Sequence, residues 1–344
     1  MMSSASSKSS LGLSLRVALF RLRVFFVGLA LDFWKDGPWP GFSLGKRSPV
    51  SPSSTPKKER PRKKKPKEAS SSEEMAEEAQ AELSDVMPVR EPTVWNGDRV
   101  AVIEHMWGEG HALPGGDEYL NSLSSPLGIN SEMSILDLSA GLGDMARSLA
   151  EEYKTYVTGM EVDSALAARG MVMSIAAGKS KSASVVAYDP ANFTASRKYD
   201  CIFARELFYK IIGKEKFFKA IDSSLKSGGG QIVFTDYILD PAVREKPAIA
   251  RWLAREPNAA PLSSIEMIKM WKGMGYDLRI AEDQTQEYKV LILQGLKSFV
   301  DFMIMNRPDE ATKLCVVREV DLWVRRMEAF SQGLKYYRFY GIRH

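Results

Sequence analysis

The chain has 344 residues, and its 44% hydrophobic and 26% charged content is ordinary for a globular domain with extensions. Its formal charge of +4 hides a segregation: residues 1–68 carry 15 Lys/Arg against 4 Asp/Glu, residues 69–91 carry 1 against 7, and residues 92–344 carry 31 against 32. The basic character therefore belongs to a tail, which speaks against nucleic acid as a partner of the folded body, and two cysteines with three scattered histidines speak against a disulfide framework or a metal centre.

Residues 1–36 are apolar and basic. In LGLSLRVALFRLRVFFVGLALDFW three arginines interrupt the apolar run, and an Arg at a membrane centre costs roughly 2.5–3.5 kcal/mol. The uninterrupted part, Val24–Leu31, falls far short of the ~20 residues that a span needs. An interfacial anchor, an organelle transit peptide and a little-structured extension all fit this segment. Residues 37–91 read as a linker, Pro/Ser/Lys-rich and then Glu-rich, with too little apolar surface to order. The basic run suits anionic lipid, so peripheral membrane contact through residues 1–68 stays open beside a cytoplasmic location. The oligomeric state is left open.

From residue 92 to 344 strand and helix signals alternate. RVAVIEHMW has helical spacing, and DEYLNSLSSPLG is a second helix stopped by Pro126 and Gly128. MSILDLS, TYVTGMEV, SASVVAYD, YDCIFAR and QIVFTDYIL read as strands. GDMARSLAEEY, DSALAARGMVMSIAAG and KEKFFKAIDSSLKSGGG read as helices between them. Such alternation predicts βαβ units and a parallel sheet covered on both faces, with ligands at the carboxyl ends of the strands.

The chemistry sits at those strand ends. SILDLSAGLGDMARSLA runs from a strand through a Gly-rich loop into a helix. Gly141 and Gly143 let backbone approach a ligand closely, and the helix from Asp144 points free N–H groups towards it. GLGDMA also fits a dinucleotide fingerprint, although Ser139 stands where the first glycine is expected. Ser139 occupies the least demanding of the glycine positions, and its small side chain fits there. Glu161 ends the second strand, placed to accept both hydroxyls of a ribose. Asp189, in VVAYDP, is placed to accept from an adenine amino group. The fourth strand ends in FARE, Arg205–Glu206. Each acid alone is as well read as a helix cap; together, behind a Gly-rich turn, they point to an adenosine-bearing cofactor.

Two details separate S-adenosylmethionine from NAD. Asp137 lies four residues before Gly141, inside the strand end. LKSGGGQIVFTDY is similar to the LKPGG turn of class I S-adenosylmethionine-dependent methyltransferases. Within that class VAVIEHMWGEGHALPGG, YDCIFARELFYKI, FTDYILD and LWVRRMEAFSQGLKYYRFYGIR resemble segments of the phosphoethanolamine N-methyltransferases and similar small-molecule enzymes.

The resemblance implies a Rossmann-like α/β fold: a seven-stranded, mostly parallel sheet with a C-terminal antiparallel strand and helices on both faces. It implies a cofactor site of Gly115, Gly116, Asp137, Ser139, Gly141, Gly143, Glu161, Val162, Asp189, Pro190 and Arg205. Catalytic roles fall to Glu206 and Tyr209, and substrate contacts to Trp95, Tyr237 and Arg326, with no metal. Trp95, Trp107 and Tyr237 could offer aromatic faces to a cationic product. The expected activity is methyl transfer to a small molecule, nitrogen favoured as the acceptor. An inactive cofactor-binding scaffold, a methyltransferase acting on a lipid or quinone-type substrate at a membrane, and an NAD(P)-linked dehydrogenase are the rivals. One departure stands out. The segment PAVREKPAIARWLAREPNAAPLS has Leu253, Pro257 and Ala259 where that family has a Tyr/Arg/Tyr phosphate clamp. Arg251 and Arg255 either compensate or lie on a surface helix. Phosphoethanolamine itself is thereby put in doubt.

Overall fold

The computed structural model describes residues 98–256 and 258–343. The apolar–basic segment 1–36, the linker 37–91, Trp95 and Pro257 lie outside the described residues. Seven strands form one sheet: β1 Ser134–Asp137, β2 Tyr156–Glu161, β3 Ala183–Ala187, β4 Cys201–Arg205, β5 Gln231–Ile238, β6 Tyr276–Asp283 and β7 Lys335–Arg343. Their order is β3-β2-β1-β4-β5-β7-β6. Strands β1 to β5 pair in parallel, and β7 runs antiparallel to both β5 and β6. This is the expected Rossmann-like sheet with its antiparallel C-terminal strand.

The sequence explains the parallel core. Ile135 and Leu136 are both fully buried, as are Cys201 and Ile202. Successive residues point to opposite faces of a strand, so both faces of β1 and β4 are covered. Helices do the covering: α1 Arg99–Trp107, α2 Gly116–Ser124, α3 Asp144–Glu152, α4 Ser164–Ala176, α5 Lys214–Ser223, α6 Pro247–Leu253, α7 Ser264–Gly273, α8 Thr285–Met305 and α9 Glu310–Ser331. Asp98, Asp163 and Asp309 cap α1, α4 and α9 by accepting from backbone N–H groups of the first turn. Ser263 and Glu266 form a reciprocal capping box on α7. No helix among the described residues is long and apolar enough to cross a membrane.

One face of the sheet buries an aromatic cluster of Phe208, Phe217, Phe218, Phe234 and Trp271 under α5 and α7. Cys201 is a free thiol, and burial pushes it up to about 12, so it is unreactive as a nucleophile. Helices α8 and α9 pack near α1. A Cβ on Gly295 of α8 would meet Trp107 at 2.4 Å, and Trp107 in turn stands edge-on to Trp323 of α9 at 4.6 Å. Trp107 is thus a packing residue, and Trp323 is the aromatic that reaches the cavity described next.

The strand order diverges at β1, which has β2 on one side and β4 on the other. That switch point leaves a crevice beyond the carboxyl ends of the strands.

Candidate active site

A cavity of about 560 Å³ opens beyond the carboxyl ends of β1, β2 and β4. This lies within the roughly 300–1,000 Å³ of ordinary ligand pockets. Asp137, Ser139, Gly141, Glu161, Val162, Asp189, Pro190, Arg205, Glu206 and Arg326 all line it.

The Gly-rich turn forms one wall. Gly141 has φ +53° and Gly143 has φ +78°, both in the left-handed region. Gly141 N–H donates to Glu161 Oε2 at 2.8 Å, and Asp163 N–H donates to Oε1 at 2.8 Å. Glu161 therefore fixes the loop after β1 to the loop after β2, and each oxygen retains a lone pair for a ligand. Gly143 is the left-handed residue that opens α3 and does not itself line the cavity.

Ser139 explains why this position does not need a glycine. Its Oγ accepts from Arg205 N–H at 2.6 Å, and its own N–H donates to Asp137 Oδ1 at 3.0 Å. The hydroxyl ties the end of β1 to the end of β4. Asp137 is 3% exposed. Burial pushes its carboxyl up to about 7, against the pull of the Ser139 N–H.

Asp189 lies two residues past β3 and caps a short 3₁₀ turn, accepting from Ala191 N–H at 2.9 Å and from Asn192 Nδ2 at 2.7 Å. It is both a cap and a lining residue. Arg205 is buried. Its Nη2 donates to the Pro114 carbonyl at 2.8 Å, its guanidinium lies 5.2 Å from the Tyr119 ring centre, and its Nε has no partner. The 108–115 loop is thus held to β4 by one cation. Gly115 and Gly116 do not line the cavity; Ala112 and Leu113 do. Gly115 instead makes room for Tyr119, whose Cβ lies 2.5 Å from the place of an added Cβ.

The sequence reading passed over His111. Its Nδ1 lies 2.9 Å from Asp144 Oδ2, joining the same loop to the start of α3. The Asp144 hydrogen bond raises the imidazole against its burial. Asp144 lines the cavity directly beneath this contact.

The inner end is a buried polar network. Glu206 follows β4 with φ +51°, a conformation that a residue with a side chain adopts at a cost. Its N–H donates to the Thr235 carbonyl at 2.8 Å. One carboxylate oxygen accepts from the Tyr288 hydroxyl, and the other accepts from Arg326 Nη1 at 2.9 Å. Arg326 also donates from Nε to Glu256 Oε1 at 2.7 Å and from Nη2 to the Tyr209 hydroxyl at 3.0 Å. Tyr209 OH donates to Glu256 Oε2 at 3.1 Å, and Trp252 Nε1 donates to Glu256 Oε1 at 3.2 Å. Lys210 Nζ lies 3.3 Å from Glu256. Burial opposes the charge on Glu256, but Arg326 and Lys210 outweigh it and hold the carboxyl at about 2.

Two expected residues stand behind this wall. Tyr209 is buried, stacked on Trp252 and edge-on to Tyr237, and does not line the cavity. Tyr237 is also fully buried, and its hydroxyl has no partner. The side chain that reaches Glu206 from the far helix is Tyr288, stacked face to face on Tyr336 with ring centres 3.7 Å apart. Glu256 and Tyr288 carried no sequence signal of their own. Arg251 pairs with Glu328 on the exposed side of α6, as a surface helix would have it. Among the described residues no cluster of three His, Cys, Asp or Glu could hold a metal.

Comparison with known proteins bears on this arrangement. Residues 117–279 match a family model described as a methyltransferase domain. Phosphoethanolamine N-methyltransferase 1 from Zea mays is 25% identical over 201 residues, 57% of this chain and 38% of that protein. The chain therefore spans well under half the length of that relative. Phosphoethanolamine N-methyltransferase 2 from Haemonchus contortus, solved with S-adenosyl-L-methionine, superposes with a TM-score of 0.62 at 17% identity, covering 73% of this chain and 58% of that one. An S-adenosylmethionine-dependent methyltransferase from Geobacter sulfurreducens, solved with S-adenosyl-L-homocysteine, superposes with a TM-score of 0.55 at 17% identity, covering 72% and 98%. The fold is shared with both.

Proposed function

We propose that this chain is a class I S-adenosylmethionine-dependent methyltransferase and transfers a methyl group to the nitrogen of a small amine. The observation that carries this reading is the juxtaposition in one cavity of the Gly141 turn, Glu161, Asp189 and the buried Glu206 network. The residues present fit the cofactor. Arg205 Nε is a buried donor without a partner, suited to a carboxylate, and a Cβ on Gly141 would fill the cradle, 2.7 Å from Ala112. Glu161 and Asp189 would hold the adenosine, and Asp137 and Arg205 the amino-acid end. When bound, the cofactor supplies an activated methyl group on a sulfonium.

The protein's own task is then alignment and exclusion of water. Glu206 accepts a hydrogen bond from the acceptor amine, aims its lone pair and takes the proton released as the nitrogen becomes cationic. Tyr288 and Arg326 fix the Glu206 carboxylate for that role. Trp323 and Leu322 supply apolar wall.

Asp137 gives the site a pH dependence. Its carboxyl is held up at about 7, so it gains negative charge between pH 6 and 8. A cationic cofactor binds the ionised form better. Affinity for S-adenosylmethionine should therefore rise roughly five- to tenfold from pH 6 to pH 8. Titration calorimetry at both pH values checks this, and Asp137→Asn should flatten the profile while the His111–Asp144 pair stays intact.

The test of function is a metabolite extract incubated with the full chain and a methyl-labelled donor. A labelled N-methyl product supports the proposal, and a labelled product on oxygen or carbon corrects the acceptor. Tyr209, one of the two expected catalytic residues, does not line the cavity, which favours a second reading as a cofactor-binding scaffold. Cofactor binding with no labelled product would leave that reading in place of ours.

A further inference from the structure

The substrate end of the cavity has its cations committed internally. Seven carboxylates and four cations line the cavity. Arg99, at the rim, pairs with Asp163 at 2.9 Å and with Glu319 at 2.5 Å. Arg205 lies towards the Gly115 loop, with its Nη2 on a backbone carbonyl. The other two cations, Lys210 and Arg326, both pair with Glu256. Glu256 stands one layer behind the cavity wall, its side chain 2% exposed, and receives four donors. Arg326, 4% exposed, is bounded by two carboxylates and a phenol.

An anion entering here meets a neutralised guanidinium with carboxylates on both sides. In a buried site that repulsion is screened little, and dislodging Glu256 would strand a buried charge. The curated relatives are named for a phosphorylated amine. This chain has a built-in carboxylate on the cations that face its inner end.

We infer that Glu256 determines specificity: by holding Arg326 and Lys210 it sets the site against phosphate- and carboxylate-bearing acceptors, and the substrate is an uncharged or cationic amine. This rests on the methyltransferase reading above. Glu256 acts through Arg326 as a positioning residue, and it makes no contact with the reacting atoms.

The experiment uses the full chain preloaded with S-adenosylhomocysteine, titrated by calorimetry with phosphoethanolamine and with ethanolamine. The heat of S-adenosylhomocysteine binding comes first. Its absence in the wild type overturns the methyltransferase reading, and the inference with it. With that heat present, the inference stands or falls alone. Wild type should bind phosphoethanolamine no better than ethanolamine. Glu256→Gln frees part of Arg326 and should gain at least about tenfold for phosphoethanolamine, with ethanolamine and S-adenosylhomocysteine unchanged. A merely structural Glu256 would weaken all three together, which overturns the inference, as does a Glu256→Gln variant with no gain or a wild type that prefers phosphoethanolamine. Should Glu256→Gln fail to fold, the wild-type labelled products decide. Products that pass an anion exchanger at neutral pH support the inference, and retained anionic products overturn it.

Discussion

Gly141→Val should lower affinity for S-adenosylmethionine by roughly 100-fold or more, because a β-branched residue is a steric outlier in the left-handed region. Gly141 sits at φ +53°, and a Cβ there would lie 2.7 Å from the Ala112 methyl. The loop has little room to yield. Gly170 on α4 packs under it, where an added Cβ would lie 2.9 Å from the Leu142 backbone, and Gly141 N–H is bonded to Glu161. Relief must come by lifting the turn, which breaks the Glu161 contact and pushes Ala112 into the cavity. Ser139→Gly makes the contrast. It removes the bond from Arg205 N–H to Ser139 Oγ but leaves the turn's path intact. Its cofactor affinity should stay within a few-fold, as expected for loss of one modest hydrogen bond. Calorimetry on both variants, with thermal melts to establish that they fold, separates the effects. Equal binding by the two would mean that the Gly-rich turn does not cradle the cofactor.

Arg326→Met should destabilise the protein by about 3–5 kcal/mol, the cost of breaking a buried ion pair from one side. Two carboxylates, Glu206 and Glu256, lose their shared cation at side-chain exposures of 4% and 2%. Met matches much of the volume, so the loss is electrostatic. The pH dependence identifies it. In the wild type Glu256 is held at about 2, below its ordinary 4.5, so its stabilising contribution is present above about 4.5 and is lost as pH falls through about 2. In the variant the Arg326 pull on Glu256 is gone and Lys210 is the cation left to oppose burial, so the Glu256 carboxyl rises. The stability gap between wild type and variant should therefore narrow as pH falls below about 4.5. Urea unfolding at a series of pH values measures it. A gap independent of pH would assign the loss to packing.

Much of the sheet and of the strand-end lining of the cavity was legible because its signals are local. A strand, a turn and a helix start are contiguous from Ser134 to Glu152, and acids at strand ends fall at fixed points of the βαβ repeat. Gly141, Asp137 and Glu161 follow from that geometry, whereas Arg205 comes from the family resemblance; all four line the cavity. The substrate end is non-local. Arg326 and Glu256 are 70 residues apart and Tyr288 and Glu206 are 82 apart, joined only by the return of α8 and α9 to the sheet. Glu256 lies just past α6, after a stretch whose arginines read either as a substitute phosphate clamp or as a surface helix, and nothing in its spacing marks it as inward. Tyr237 is assigned to the substrate through the resemblance of FTDYILD, and β5, buried along nearly its whole length, has no pattern that places the side chain. Continuous burial removes the alternation that would reveal which face a strand side chain takes. The structure puts Tyr237 among aromatics, against Trp252, Phe330 and Tyr336.

The most direct measurement is a calorimetric titration of the full chain with S-adenosylmethionine, repeated on Gly141→Val and with NAD as the alternative ligand. Binding of one equivalent of S-adenosylmethionine to the wild type, lost in Gly141→Val and absent with NAD, is the predicted result. No heat with S-adenosylmethionine, or binding that survives Gly141→Val unchanged, would contradict the assignment of this cavity to the methyl donor.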